Sequence, residues 1–424
     1  MKVLYVSQYY APEMGAPAAR VSELSRLWSE SGHDVTVLTG FPNHPTGRIP
    51  AAYRRSFRRG FMHEKHGQVM VERTWLAPFP NRKTWERILN YVSFALSAAV
   101  RGTLLPAPDV VIATSPQLLV GVAGLLISAA KRVPFVFEVR DLWPESLYAV
   151  GIGSRNSWTQ RVLMRVAKLL YERCDHIVTV TPAMRQYLIE EWRITPEKIS
   201  VIENGVAVEL FCPKSDGKSV REELGLQDKF VISWIGTIGN AHNLATVVDA
   251  AKTLNAKYLN IVFLVVGEGA EKECVQNLVE QSGLTNIKII SQQPRARVPD
   301  IICASDVCLV LLRKTEVFKT VIPTKLLEFM SCGRPVVLGV EGQAQAIVEK
   351  ADSGICIRPE NAGDLVAAIE ILRHDQQLRK RLGENGRRYI VENLSREQTA
   401  RDYESVLHDL IQESGSDGVL AAVE

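Results

Sequence analysis

Short apolar runs rich in valine and isoleucine recur along the chain, each followed by a loop and a helical stretch. Residues 3–7 (VLYVS) form the first run. A loop with Pro12, Gly15 and Pro17 follows, then a helical pattern with Val21, Leu24 and Leu27 on one face, stopping at Gly32. Residues 34–40 (DVTVLTG) read as the next strand. Strand, glycine-bearing loop, helix and strand make the βαβ unit of a parallel sheet. Residues 109–115, 135–141, 176–181 and 199–205 continue the series. Such near-continuous apolar strands suit a sheet covered on both faces.

The pattern then restarts. Residues 206–228 are more polar, with Pro213, Gly217 and Gly225. After them come apolar runs at 230–236, 261–267, 287–291, 307–312, 335–339 and 353–357. The expected fold is therefore α/β, with two tandem Rossmann-like domains facing each other across a cleft. Doubly wound sheets bind ligands at the carboxyl ends of their strands. The expected boundaries are 1–205 and 206–395, with a helix at 396–413 crossing back to the first domain and a flexible tail at 414–424.

Composition changes little in this picture: 424 residues, 46% hydrophobic and 23% charged, suit a large globular protein. Charge changes more. The net charge of +3 divides into a surplus of +9 over residues 1–200 and −6 over the rest. Residues 48–101 alone carry +8. There Arg54, Arg55, Arg58, Arg59, Arg82, Lys83 and Arg87 mix with Phe57, Phe61, Trp75, Phe79 and Trp85, followed by an apolar helical stretch at 88–100. Cations beside aromatics suit an anionic bilayer surface. The alternative is a solvated basic face with the apolar helix in the core. The apolar stretches 88–100 and 118–130 are too short to span a bilayer, which takes roughly 20 residues. Seven cysteines without a C-x-x-C pair suit a reducing, cytoplasmic compartment. No secretory leader and no metal-ligand spacing are evident, and no nucleic-acid partner is expected.

Candidate chemistry sits on the strand-to-helix loops. Gly15 and Ala16 open the first helix, where free N–H groups face an anion. Gly236, Gly239, Asn240 and His242 follow the first strand of the second half, and Gly267 and Lys272 follow the next; a tight turn without ligand is the alternative for each. The segment 318–337 (FKTVIPTKLLEFMSCGRPVV) is the most informative. Pro323 suits the first turn of a helix, so Thr324, Lys325 and Leu326 place N–H groups at its positive end. Lys325 adds a full charge. Glu328, three residues on, shares that face and can accept two hydrogen bonds from a ribose diol; a surface Lys–Glu pair is the alternative. Arg140 and Asp141 end a buried strand, either as a cleft pair or as an internal ion pair and cap.

At this point YAPEMGAPAARVSEL, GHDVTVLTG, ENGVAVELF, VGEGAEKECV and PTKLLEFMSCGRPVV resemble the GT-B glycosyltransferases of retaining family 4, over residues 1 to about 410. FPNHPTGRIP and VRDLWPES resemble its bacterial surface-polysaccharide subgroup, including N-acetylfucosamine transferases of O-antigen synthesis. The resemblance implies a UDP-sugar donor and no cofactor. It assigns Glu328 to the donor ribose, the backbone of Thr324–Leu326 to the diphosphate, and the loops at Gly15 and at Gly236–Asn240 to closure on the donor. It implies an acceptor saccharide on a polyprenyl diphosphate and a peripheral position on the inner face of the cytoplasmic membrane. Asp141 and Arg140 are then the acceptor-side and reacting-sugar contacts. Three departures stand out. Thr320 replaces the first acid of the family's E-x7-E pattern, His242 stands where many members carry lysine, and Arg140 where many carry histidine. A UDP-sugar epimerase of similar fold and a non-catalytic sugar-nucleotide-binding protein remain alternatives.

Overall fold

The computed structural model describes residues 1–13, 15–80, 83–115, 117–143, 158–214 and 217–420. Two compact units form: Met1–Glu203 with Glu397–Glu424, and Asn204–Arg396.

The first unit holds eight strands: β1 Lys2–Val6, β2 Asp34–Gly40, β3 Phe61–His66, β4 Val69–Thr74, β5 Val110–Thr114, β6 Phe135–Val139, β7 His176–Thr179 and β8 Ile199–Val201. Their order is β3-β4-β2-β1-β5-β6-β7-β8. All pairings are parallel except β3 with β4. The second unit's sheet is parallel throughout: β9 Phe230–Ile235, β10 Ile261–Val266, β11 Ile287–Ile290, β12 Val307–Leu311, β13 Val336–Gly339 and β14 Gly354–Cys356. Its order, β11-β10-β9-β12-β13-β14, is the doubly wound Rossmann arrangement, whose ligand crevice opens where the order reverses, between β9 and β12.

β9 is buried along its whole length, as its unbroken FVISWI sequence requires. The junction segment is less polar in effect than its composition: Val206, Phe211, Val220 and Leu226 all sit in the second unit's core. The β3–β4 hairpin was not evident from the charge pattern of residues 48–101. The exposed Phe61, His63 and Lys65 of β3 mask a buried Val69 and Val71 on β4.

The helix Thr84–Leu104 carries the apolar stretch. One face packs through Phe94, Ala98 and Gly102, and a Cβ on Gly102 would come within 2.3 Å of Ile127 Cδ1, so the helices meet closely. The opposite face exposes Trp85, Ile88, Leu89, Val92, Leu96, Val100 and Leu104. Hence the core accounts for only one side of this helix. No helix among the described residues is long and apolar enough to cross a membrane.

The final helix, Arg396–Leu420, packs on the first unit. Trp28 Nε1 donates to the Ala400 carbonyl at 3.0 Å, and Tyr403 and Leu407 are fully buried. The segment expected as a tail from 414 is helical to Leu420. Propagating an anchored helix adds one hydrogen bond per residue, which offsets the poor propensity of Gly415 and Gly418.

Candidate functional site

The second unit gathers most of the expected residues at its switch point. β9 ends at Gly236, whose φ of 146° suits glycine, and its N–H donates to Val266 O at 2.9 Å. The following loop is laced to the β10 loop by Ile238 N to Glu268 O, 2.8 Å. Gly267 and Gly269 permit that approach: a Cβ on Gly267 would fall 1.8 Å from Gly236 O, and one on Gly269 2.2 Å from Ile238 O. Gly267 therefore serves the contact between loops. Gly239 is extended (φ −130°) with open space around it. Asn240 is fixed by Arg313, whose Nε and Nη2 donate to its carbonyl and side-chain oxygens at 2.6 Å.

The helix Thr324–Ser331 begins after Pro323, as the sequence implies. The Leu326 N–H donates to the Pro323 carbonyl at 2.9 Å, and the N–H groups of Thr324 and Lys325 precede the first helical hydrogen bond, which makes the helix start electropositive. Leu326 is buried and anchors the turn. Lys325 turns its ammonium inward. Nζ lies 3.8 Å from the Trp234 ring centroid, and a Cβ on Gly236 would meet it at 2.7 Å. Nζ is buried and has no hydrogen-bond partner. Burial pushes its pKa down to about 7, with Glu328 pulling the other way. The full charge expected at neutral pH is thus reduced in the free protein.

Glu328 lies one turn along, its Oε1 3.0 Å from Nη1 of Arg295, whose guanidinium also covers the Phe211 ring at 4.9 Å. Arg295, 33 positions away, escapes sequence patterns, because a long-range pair leaves no periodic trace.

One expectation is corrected, at Lys272, and His242 differs from the lysine of many family members in charge. His242 is half-buried and neutral: burial first, and the charge of Lys325 second, drive its pKa to about 3. It packs edge-on against Trp234 at 5.2 Å, and Nδ1 meets Leu311 O at 3.2 Å. In the free protein it offers no positive charge to a diphosphate. Lys272 does not stand free for an anion, since its Nζ is held by Glu268 at 2.7 Å and Ser291 at 3.2 Å. The Glu268–Lys272 spacing of four was a legible sign of that pair. Thr320, where the family pattern has an acid, turns its hydroxyl onto Val317 O at 2.8 Å.

The first unit gathers a second group. Gly15 (φ 140°) precedes the helix Ala16–Glu30. Arg140 donates through Nη1 to Pro17 O at 3.3 Å, so the expected sugar-side arginine also braces the start of that helix. Beneath it lies the buried pair Arg20–Glu138, 2.9 Å, with Tyr5 OH donating to Glu138 at 2.8 Å. Burial pushes the Glu138 carboxyl up, but Arg20 and Arg140 more than offset it and hold it ionised. Asp141 is raised to about 6 by burial, against the pull of Arg140. Pro144, Glu145 and Ser146 of the VRDLWPES block lie outside the described residues, as does Arg82. Glu13 was missed by the sequence reading. Its Oε1 accepts from the N–H groups of Asn43 and His44, both 2.9 Å, tying the first loop to the FPNHP segment, and burial lifts its pKa to about 7.

Two family models match this chain: the glycosyl transferase 4-like domain over residues 15–205, and glycosyl transferases group 1 over 217–389. The chain is a glycosyltransferase. This glycosyltransferase is 24% identical over 383 residues to the putative colanic acid biosynthesis glycosyl transferase WcaI of Escherichia coli K12, covering 87% of this chain and 91% of that one. Its fold is similar to sucrose-phosphate synthase from Thermosynechococcus elongatus (TM-score 0.75, 18% identity, 97% and 99% coverage). HepE of Anabaena, in complex with UDP and glucose, gives a TM-score of 0.72 at 17% identity, with 96% and 99% coverage. These likenesses establish two Rossmann-like domains of the GT-B class.

Proposed function

We propose that this glycosyltransferase transfers a sugar, with retention and without a metal ion, from a UDP-sugar to a polyprenyl-diphosphate-linked saccharide in bacterial surface-polysaccharide synthesis. The observation that carries the donor side is the Lys325 ammonium, buried, without a hydrogen-bond partner and seated beside Gly236 at a helix start. A buried ammonium without a hydrogen-bond partner is costly. A diphosphate supplies that charge, and its negative charge grows as the glycosidic bond to phosphate breaks. Lys325 and the helix N-terminus then stabilise the leaving group more strongly in the transition state than in the ground state. That is the service a divalent cation performs elsewhere. Glu328, one turn further, is placed to accept from the ribose hydroxyls. The UDP carried by HepE supports uridine as the nucleoside.

On the acceptor side, Asp141 is the general-base candidate, since its carboxyl titrates near 6. Arg140 is assigned to the reacting sugar. The FPNHPTGRIP and VRDLWPES segments support an N-acetyl amino sugar such as N-acetyl-L-fucosamine. The name of the colanic acid relative supports a surface polysaccharide.

The exposed apolar stripe on the helix Thr84–Leu104 supports a peripheral position on the cytoplasmic face of the membrane. Arg101 of that helix covers Phe61 at 4.7 Å, and Phe57 stacks on Trp75 at 6.2 Å, so the basic helix Arg54–Arg59 adjoins the stripe.

A screen of UDP-sugars against lipid-linked saccharides tests this reading, with product mass and anomeric coupling as readouts. Transfer with retained configuration supports it. Isomerised donor, or binding without turnover, overturns it.

A further inference from the structure

The sequence scatters eight histidines without metal-ligand spacing, yet folding brings two of them to one carboxylate. His33 sits in the tight turn between the first helix and β2, where its N–H donates to Trp28 O at 3.0 Å. Glu404 and His408 are four residues apart on the final helix, so they share a face. His33 Nε2 lies 2.7 Å from Glu404 Oε1, and His408 Nε2 lies 3.8 Å from the same oxygen. The two imidazoles meet edge to face at 5.7 Å, and the three ligand atoms all fall within 4.8 Å of one another. His33 is 10% exposed, Glu404 24% and His408 47%, so an ion has a route in from solvent.

We propose that His33, Glu404 and His408 form a divalent-cation site of the zinc type, with the fourth position left to water. Two imidazoles and a carboxylate are a donor set that zinc prefers over magnesium or calcium. A tetrahedral ion with bonds of about 2.0–2.1 Å holds its ligands roughly 3.3 Å apart. The three atoms reach that spacing by small side-chain rotations. Ligation through Nε2 puts the His33 ring proton on Nδ1, 3.3 Å from the Met1 nitrogen, so the Met1 amine must be in its neutral form to accept it. The ion would bind the last helix to the turn that leads into β2. Both anchors are already rigid, since Tyr403 and Leu407 pack into the first unit's core beneath them. The role is structural. All three ligands lie in the first unit, whereas Lys325 and Glu328 lie in the second.

Titration of the full chain, stripped with EDTA and returned to chelator-free buffer, tests this site. Zn²⁺ is added in competition with a chromophoric chelator, and Co²⁺ serves as a spectroscopic probe. The expected result is one equivalent bound with a dissociation constant of about 10 µM or tighter. Tetrahedral visible bands with Co²⁺ and a Zn²⁺-dependent rise in Tm should accompany it. His408→Ala and Glu404→Gln should each weaken binding roughly tenfold or more, as loss of a ligand costs at least what loss of its hydrogen-bonded support does. Both sites of change are surface-accessible, and unaltered far-UV circular dichroism and UDP binding confirm the fold. No saturable binding below about 100 µM overturns the site. So does binding that is equally tight in His408→Ala and in His33→Ala, which places the ion elsewhere.

Discussion

Lys325 and Gly236 are in direct contact: the lysine Nζ occupies the space where a side chain on Gly236 would begin. Gly236→Ala therefore does two things at once. It strains a φ of 146° and pushes the ammonium off the Trp234 face. UDP affinity should fall roughly tenfold or more, the scale of losing one charge-assisted hydrogen bond. Calorimetric titration with UDP measures it, with thermal melting to confirm that the variant is folded. Unchanged affinity would separate the glycine loop from the diphosphate.

Lys325 should also set a pH limb. In the free protein its pKa is about 7, lowered by burial, and only the protonated form attracts a diphosphate. Bound diphosphate raises that pKa. Donor kcat/KM is therefore full below about 7 and declines above it, by up to roughly tenfold per pH unit. Lys325→Arg should flatten the alkaline limb, because guanidinium stays charged. Lys325→Ala should depress turnover more than UDP binding, since leaving-group charge grows in the transition state. Equal losses in both would assign Lys325 to ground-state binding alone.

Glu328→Ala should raise donor KM and lower kcat/KM by about 1.5–3 kcal/mol, roughly ten- to a hundredfold. The Arg295 pair bears on how that number is read. Removing Glu328 also strips a carboxylate from a partly buried guanidinium, 3.0 Å away. Glu328→Gln keeps an oxygen for Arg295 while weakening acceptance from the ribose. Steady-state kinetics with UDP-sugar, compared with the deoxyribose donor, isolates the ribose contribution. If both variants lose equally on both donors, Glu328 acts only through Arg295.

Activity should survive EDTA, because Lys325 and the helix start supply the positive charge at the leaving diphosphate. Initial rates with and without chelator, at a temperature well below Tm, decide it. Loss restored by Mg²⁺ or Mn²⁺ would overturn the metal-free reaction.

The local patterns were legible where one element carried them. Pro323, Lys325 and Glu328 lie on one turn, and their order along the chain already expressed a helix start with a carboxylate one turn on. Alternation of buried strands with helices likewise expressed both sheets. What escaped was set by tertiary neighbours. His242 is neutral because Trp234 and Lys325 surround it, and nothing within its own loop reports that. Arg295 reaches Glu328 from another strand–helix connection. His33 and Glu404 are 371 positions apart. The β3–β4 hairpin was obscured by its charged outward positions, although His66 and Gln68 flank a glycine with φ of 62° that marks the turn.

The membrane prediction turns on which face of the helix Thr84–Leu104 is free. Trp85, Leu89, Val92, Leu96 and Val100 fall within one narrow arc at helical spacing, and all are exposed. Leu96 and Val100 are each 64% exposed, which a water-facing helix of a soluble domain rarely sustains as a continuous stripe. Arg54, Arg55, Arg58 and Arg59 are exposed nearby and add about 1 kcal/mol each near an anionic surface. Two contributions are therefore separable. Changing the four arginines to serine should abolish most binding to anionic liposomes at low salt. Leu96→Glu with Val100→Glu should weaken binding even with the arginines intact, because the stripe can no longer enter the interface. Neither change touches the buried face at Phe94 and Ala98, so both variants should melt as the wild type does. Sedimentation with anionic and neutral liposomes, across a salt series, reads both effects. The arginine contribution should shrink as salt rises, while the apolar contribution should not. Wild-type protein that stays in the supernatant with anionic liposomes at low salt would end the membrane reading, leaving the stripe to another partner.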